Sequence, residues 1–460
     1  MKADLRNFTI LIAILATIFY SFYEGWISYL ILWLFSIVGT YFLLRFFKRN
    51  ESRELFSLFL FTFSFYSIYM YITNYIYVNN PSDEFFMMVD SMKFWDNSNF
   101  KMYTFQDLWD NFNAQGDITL RYRLFNFISI FLSFFAQIFD ENNILVQKWQ
   151  SVYAGALSIP FIYLILKCYV SRNKAYKYSL FFSVLSFVCV YSIVFNRDPH
   201  VYFLYVLGTY YVVYHDRSKY VFAKLVMIFI FLIGFRIEHA LFFTLFIMSY
   251  FYLKAKKNKP TILISGVLMF FMLAFLSPIL FSKYEENAGA YENQMERVDR
   301  KEVSVGASFS SLPVGLKQLA MAINGQIAPA VPFWRGWYIE NANLENLKHT
   351  YPGYYTPWRF MENVAATVWL YVLAIVFAGF YFKLHKAIPS ELLVLFGLAV
   401  LLLLLSSSSI NTRRVYCVYP IIYIVSVLFY NVLPVDLRKK IVNRTTLSVI
   451  GLYLLYFYIK

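Results

Sequence analysis

The chain has 460 residues, of which 60% are hydrophobic and 22% aromatic, and its mean hydropathy is +0.53. That composition excludes an ordinary soluble domain. The formal net charge of +14 would suggest nucleic acid in a soluble protein; here most lysines and arginines sit in short connectors between apolar runs, the pattern of a membrane protein with its basic loops on one side. Cys168, Cys189 and Cys417 are scattered within or beside apolar segments, so neither a disulfide framework nor a zinc site is indicated.

Crossing the hydrocarbon of a bilayer takes about 20 apolar residues in a helix. On that scale the candidate spans are 8–22, 27–46, 55–78, 145–166, 178–196, 201–215, 221–235, 240–254, 261–282, 363–382, 391–409, 415–433 and 446–459. No small-residue cleavage site follows the first, and Tyr23-Glu24-Gly25-Trp26 leads directly into the second, so the first is read as a retained helix rather than a signal peptide. The expected fold is all-α: a polytopic bundle of about 13 transmembrane helices in one membrane domain, 1–460.

Basic connectors should face the cytoplasm. They carry Arg45, Lys48, Arg49 and Arg53; Lys167, Arg172, Lys174 and Lys177; Arg217, Lys219 and Lys224; Lys254, Lys256, Lys257 and Lys259; Lys383 and Lys386; and Arg438, Lys439, Lys440 and Arg444. All fall on one side, with the N-terminus cytoplasmic, only if the apolar segment 124–140 does not cross. It is therefore expected to be a re-entrant or surface helix, closing an extracytoplasmic region 79–140. Within that region 79–123 is acidic, with Asp83, Glu84, Asp90, Asp96, Asp107, Asp110 and Asp117. A second extracytoplasmic loop, 283–362, is rich in Trp, Tyr and Pro. Its aromatic faces suit sugar rings, although Trp and Tyr also gather at any membrane interface.

Four sets of charges converge on that outer boundary. Asp83-Glu84 and Asp90 follow the third span; in a helix Asp83 and Asp90 share a face and could supply a general base, or simply a solvated acidic helix start. Asn196-Arg197-Asp198-Pro199-His200 occupies a short turn. There Arg197 opposes the charge bias and suits a phosphate, unless it forms a local ion pair with Asp198. Arg236-Ile237-Glu238-His239 places three titratable groups at the next turn, where His239 could exchange a proton near neutral pH or be a hydrogen-bonded structural residue. Asn411-Thr412-Arg413-Arg414 puts two cations between very apolar helices, suited to a pyrophosphate or to lipid headgroups.

No Walker loop, HExxH helix, GxSxG elbow or dinucleotide fingerprint is present. Any reaction should therefore use an already activated substrate. The acidic pair, the Ser-x-x-x-x-Arg-Asp turn of Ser192 to Asp198, the Arg-x-Glu-x-Ala segment of Arg236 to Ala240, and Asn411, Arg413, Tyr416, Tyr419 and Pro420 resemble bacterial integral-membrane glycosyltransferases. The resemblance is to the GT-C superfamily, which uses polyprenyl-phosphate sugars, and to Wzy-type polymerases of O-antigen and capsule. It runs from 79 to 420 through short, degenerate motifs. GT-C enzymes usually have one span before the acidic loop where this chain has three, and a large C-terminal soluble domain that is missing here; both differences favour the polymerase.

The resemblance implies a bacterial inner-membrane enzyme that transfers glycans between polyprenyl-(pyro)phosphate carriers on the extracytoplasmic face, alongside other polysaccharide-assembly membrane proteins. Arg197, Arg236, Arg413 and Arg414 would hold the pyrophosphate, with Asp198 and His200 beside them. Asp83, Glu84, Asp90, Glu238 or His239 would activate the acceptor, and Lys317, Arg335 and Arg359 of the 283–362 loop would shape the glycan site. No cofactor and no nucleic acid is expected; a divalent cation at the acidic loop is compatible. The rivals are a monosaccharide transferase and a flippase for the same glycan. A flippase should carry charges through the bundle and helices broken at mid-depth.

Overall fold

The computed structural model describes residues 3–23, 26–47, 49–78, 98, 101–114, 123–141, 144–216, 219–255, 260, 264, 266, 314–327, 332–336, 338–339, 354–355, 357–405 and 415–459. The protein is helical. In chain order the helices are α1 (Ala3–Tyr23), α2 (Ile27–Phe47), α3 (Ser52–Val78), α4 (Phe105–Ala114), α5 (Arg123–Gln137), α6 (Ile144–Lys167), α7 (Arg172–Leu185) and α8 (Phe187–Ser192). They continue with α9 (Asp198–Val213), α10 (Val221–Phe235), α11 (Ile237–Lys254), α12 (Val314–Ile327), α13 (Pro357–Tyr381), α14 (Ser390–Leu405), α15 (Tyr419–Val432) and α16 (Val435–Ile459). A two-residue antiparallel pair, Tyr338–Ile339 with Tyr354–Tyr355, is the one strand pairing among the described residues.

Among the described residues four helices are long and apolar enough to cross a membrane: Ile27–Phe46, Ser52–Asn74, Ile144–Lys167 and Pro357–Tyr381. Shorter apolar helices stand beside them, among them Val221–Phe235, Ser390–Leu404 and Tyr416–Val432. This is a membrane protein. Helix α6 is its axis, packed by α2, α3, α7, α8 and α9. Its apolar window is 89% buried inside the protein, against 33% for that of α2, which lies at the edge.

The basic connectors meet at one end of the bundle. Lys167 pairs with Glu51 at 2.7 Å, Arg172 pairs with Glu54, and Tyr163 Oη donates to Glu54 at 2.7 Å. Arg6 reaches Ser57 at 2.7 Å, Lys174 reaches Asn431 at 2.8 Å, and Tyr169 Oη donates to Glu391 at 2.9 Å. Pairs at a solvated helix end contribute little stability each, but these contacts record which connectors are neighbours.

At the opposite end the first two turns of α6 form a polar collar. Gln147 donates to the Ser129 carbonyl at 2.8 Å and to Ser133 Oγ at 2.7 Å, Gln150 donates to Ser129 Oγ at 3.0 Å, and Ser151 donates to the Asn196 carbonyl at 2.9 Å. Helix α5 is tied to these groups along its length. Leu124 meets Gly234, Phe125 meets Phe195 and His200, and just past its end Glu141 accepts from the Ser28 amide at 3.1 Å and from the Ser28 hydroxyl. These partners all sit at helix ends, so α5 runs across the end of the bundle. Helix α4 packs on it through Phe105–Phe134 and Phe112–Phe127. A reciprocal cap starts α4: Asp107 accepts from the Tyr103 and Thr104 amides at 2.8 Å, and Thr104 Oγ1 accepts from the Asp107 amide. The two amide donors hold the Asp107 carboxyl below the usual aspartate range.

Three boundaries differ from the hydropathy reading. The expected span 178–196 is two helices, α7 and α8, broken at Ser186, whose backbone is extended at φ −121°, ψ 167°. Helices α9 and α11 begin at Asp198 and Ile237, so Asp198, Pro199, Glu238 and His239 belong to first helical turns rather than to connecting turns; hydropathy misses this because polar residues are favoured in the first turn of a helix. Inside the stretch 283–362, α12 packs on α13 and α14, and its Gln326 Oε1 accepts from Trp369 Nε1 and Tyr419 Oη, both at 2.9 Å. Trp369 lies at the middle of α13, so part of that stretch reaches into the bundle.

Helices in a bilayer gain no hydrophobic drive from each other and pack closely through small residues. At Gly155 of α6 a Cβ would lie 1.9 Å from Ser192 Oγ and 2.7 Å from Ser192 Cβ. Gly155→Ala is therefore expected to force α6 and α8 apart and cost about 1–3 kcal/mol. Unfolding in detergent would measure this, and adding Ser192→Gly should recover most of the loss. An unchanged midpoint in Gly155→Ala would refute the close approach.

Candidate functional site

The sequence candidates that fall on described residues gather at the end of the bundle carrying the polar collar. Two chain breaks build the site. After α8 the chain passes through 193–197 and restarts as α9, with Pro199 in its first turn, where a missing amide proton is no loss. Between α10 and α11 a single extended residue, Arg236 at φ −164°, ψ 102°, interrupts the helix. Its carbonyl accepts from the His239 and Ala240 amides, both at 3.1 Å, so Arg236 opens α11.

These breaks bring Arg236 and Asp198 together. Arg236 Nη1 donates to Asp198 Oδ1 at 2.6 Å, and the two residues are only 5% and 3% exposed. Asp198 thus has a partner distant in sequence, a contact that reading the Arg197-Asp198 neighbours could not reveal. Arg197 and Asn196 are buried beside the pair. His200 stacks on Phe235 with ring centres 4.8 Å apart, and its Nδ1 has no hydrogen-bond partner among the described residues. Glu238 is half-buried in the first turn of α11. His239 is buried: its Nδ1 lies 3.7 Å from Cys417 Sγ, Tyr205 Oη donates to its carbonyl at 3.1 Å, and the Tyr205 ring meets its imidazole edge-on at 5.5 Å.

An aromatic tier joins this cluster to a second one. Tyr416 is buried against the first turns of the helix that Asp198 begins. It stacks on Tyr202 at 5.1 Å and touches Tyr191 at 5.0 Å. Tyr191 Oη donates to Glu362 Oε1 at 3.1 Å, Arg359 Nη1 donates to Glu362 Oε2 at 3.1 Å, and the Arg359 guanidinium lies 4.6 Å above the Trp358 ring. The cavity bordered by Ser186, Tyr202, Trp369 and Tyr416 is about 20 Å³, room for little more than one water. The tier is packing rather than a sugar pocket.

Arg359 is exposed and has Glu362 as its partner, a residue the sequence reading passed over. Lys317 lies on α12 and Arg335 in the short turn Phe333–Gly336; their side chains are outside the described residues. Asp83, Glu84, Asp90, Arg413 and Arg414 also lie outside the described residues. Among the described residues no group of three or more His, Cys, Asp or Glu is placed to hold a metal.

Sequence reading also missed Lys148. It is 1% exposed in the second turn of α6, and its ammonium donates to Asn74 Oδ1 of α3 at 3.0 Å. The signal was present, the one charged residue of the expected span 145–166, and an ionisable residue at such a position is a functional candidate by default.

Fold and site together define an all-helical membrane protein with buried charges clustered at one end of the bundle. Comparison with models of known families, with curated proteins and with solved structures finds no match.

Proposed function

We propose that the protein is a polytopic inner-membrane glycosyltransferase of about 13 crossings that polymerises polyprenyl-pyrophosphate-linked repeat units of a bacterial surface polysaccharide. The observation that carries this reading is the convergence, at the end opposite the basic connectors, of the 196–200 turn, the Arg236 break and Arg359. By the positive-inside rule that end is extracytoplasmic. Among the described residues the buried charges lie at one end rather than through the bundle, which favours an enzyme over a flippase. The Ser186 break is the feature a flippase would share, but it brings no charge with it.

In this scheme the acceptor hydroxyl oxygen attacks the anomeric carbon of the donor, and a carbon–oxygen bond forms as the bond to the pyrophosphate oxygen breaks. The hydroxyl proton passes to a carboxylate, Glu238 or one of Asp83, Glu84 and Asp90, or to His239. The polyprenyl pyrophosphate leaves with the bonding pair, and Arg197, Arg236, Arg413 and Arg414 stabilise its added charge. Of the two groups at the α11 break, Glu238 is the better base: His239 is enclosed by Tyr205 and Cys417. Lys317, Arg335 and Arg359 would flank the glycan. No cofactor is needed, and a divalent cation at the acidic loop is compatible.

The test is complementation of a deletion strain with Arg413→Ala and Glu238→Gln, both at wild-type membrane abundance, read on a gel that resolves surface-glycan length. Collapse of the ladder to one capped repeat unit is the expected result. Loss of all product, or of one sugar from every unit, would select the monosaccharide transferase or the flippase. A wild-type ladder in both variants would overturn the site.

A further inference from the structure

Helices α13 and α16 run antiparallel and touch through two hydrogen bonds, Tyr371 Oη with Thr446 Oγ1 at 3.0 Å and Thr367 Oγ1 with Tyr453 Oη at 2.6 Å. Beside these contacts they part around a groove of about 810 Å³, within the roughly 300–1,000 Å³ usual for ligand sites. Ala374 and Ala378 are among the α13 residues that line it, and Phe377 and Leu452 are among the larger apolar groups. Lys440 and Arg444 line it towards the end where the basic connectors meet. Both are exposed, four residues apart on one helix face, where like charges repel. Neither side chain has a hydrogen-bond or ion-pair partner among the described residues. Nearby Arg438, by contrast, is engaged with the Leu433 and Asn431 carbonyls at 2.6 and 3.1 Å.

We propose that this groove is a binding site for one anionic phospholipid of the leaflet at the basic end, its phosphate between Lys440 and Arg444 and an acyl chain along α13. Charge complementarity identifies the headgroup: two unpaired cations at the mouth of an apolar cleft want an anion that carries its own hydrocarbon. Length and lining identify the tail. From Lys440 to Leu452 the helix axis rises about 18 Å, close to one leaflet's share of the roughly 30 Å hydrocarbon core. The cleft is mostly apolar along its length and cationic towards one end, the layout of a lipid tail with an anionic head rather than of an apolar helix of a second copy. The site lies at the end of the bundle opposite the buried charges and is independent of the proposed chemistry.

The test uses the full-length protein, delipidated in detergent and then offered phosphatidylglycerol or phosphatidylcholine, with retained lipid counted by native mass spectrometry. Wild type should retain phosphatidylglycerol at least tenfold over phosphatidylcholine. Lys440→Gln with Arg444→Gln, two exposed positions whose replacement leaves packing untouched, should lower phosphatidylglycerol retention about tenfold and leave phosphatidylcholine unchanged. Ala374→Phe with Ala378→Phe, which fills the groove, should abolish retention of both. Equal retention of the two lipids by wild type, phosphatidylglycerol retention unaffected by the charge variant, or a dimer that occludes the groove would each overturn the proposal.

Discussion

Arg236→Ala and Asp198→Ala are each expected to destabilise the protein by about 3–5 kcal/mol, because each breaks a buried, hydrogen-bonded ion pair. The pair sits at 2.6 Å with both residues almost wholly enclosed. Replacing both together, Arg236→Met with Asp198→Leu, should return stability to near wild type, since an apolar pair of similar bulk avoids the desolvation of two ions. Unfolding midpoints in detergent for the two singles and the double close a mutant cycle, and the coupling should be well above the few tenths of a kcal/mol found for independent sites. The same double variant should make no glycan product. A fold restored without activity would show that the charges are kept for chemistry. Additive losses in the double would mean that the two residues act separately, contrary to the geometry.

The second large effect has the opposite sign. Lys148 is buried with Asn74 as its hydrogen-bond partner, and holding an ammonium there costs desolvation that one amide oxygen does not repay. Lys148→Met alone should change stability little, because it strands the Asn74 carbonyl at a penalty of about 1–3 kcal/mol. Lys148→Met with Asn74→Leu removes both polar groups and should stabilise by about 1–4 kcal/mol, the range seen when buried ionic groups are exchanged for packed apolar ones. Glycan product should fall at least tenfold in both variants if the lysine serves the donor's phosphate, the usual exchange of stability for function at an active site. A double variant that loses stability would show that the ammonium is better solvated than its burial implies.

The helical class and the membrane setting were readable from composition and from the length of apolar runs, because both depend on local hydrophobicity alone. So was the shared side of the basic connectors, which the contacts of Lys167, Arg172, Lys174 and Glu391 draw to one end. The candidate residues at 196–200 and 236–239 were legible as well, since charges between apolar runs stand out in any window. Their partners were not. That Asp198 meets Arg236, that Arg359 and Tyr191 share Glu362, and that His239 is enclosed by Tyr205 and Cys417 are contacts between helices distant in the chain. Hydropathy carries no information about which face of one helix meets which neighbour.

The break at Ser186 escaped for a related reason. Nothing in the residues around it forbids a continuous helix, and packing of α8 against α6 and α13 sets the bend. The partners of Glu362 and Lys148 escaped because Tyr191 and Asn74 lie on other helices. The sequence by itself determined that the chain is helical, that its apolar runs suit a membrane and that basic residues gather in the connectors between them, because those preferences are summed residue by residue. The tertiary structure alone decided which charges are buried together, because burial and pairing depend on how close two helix ends come.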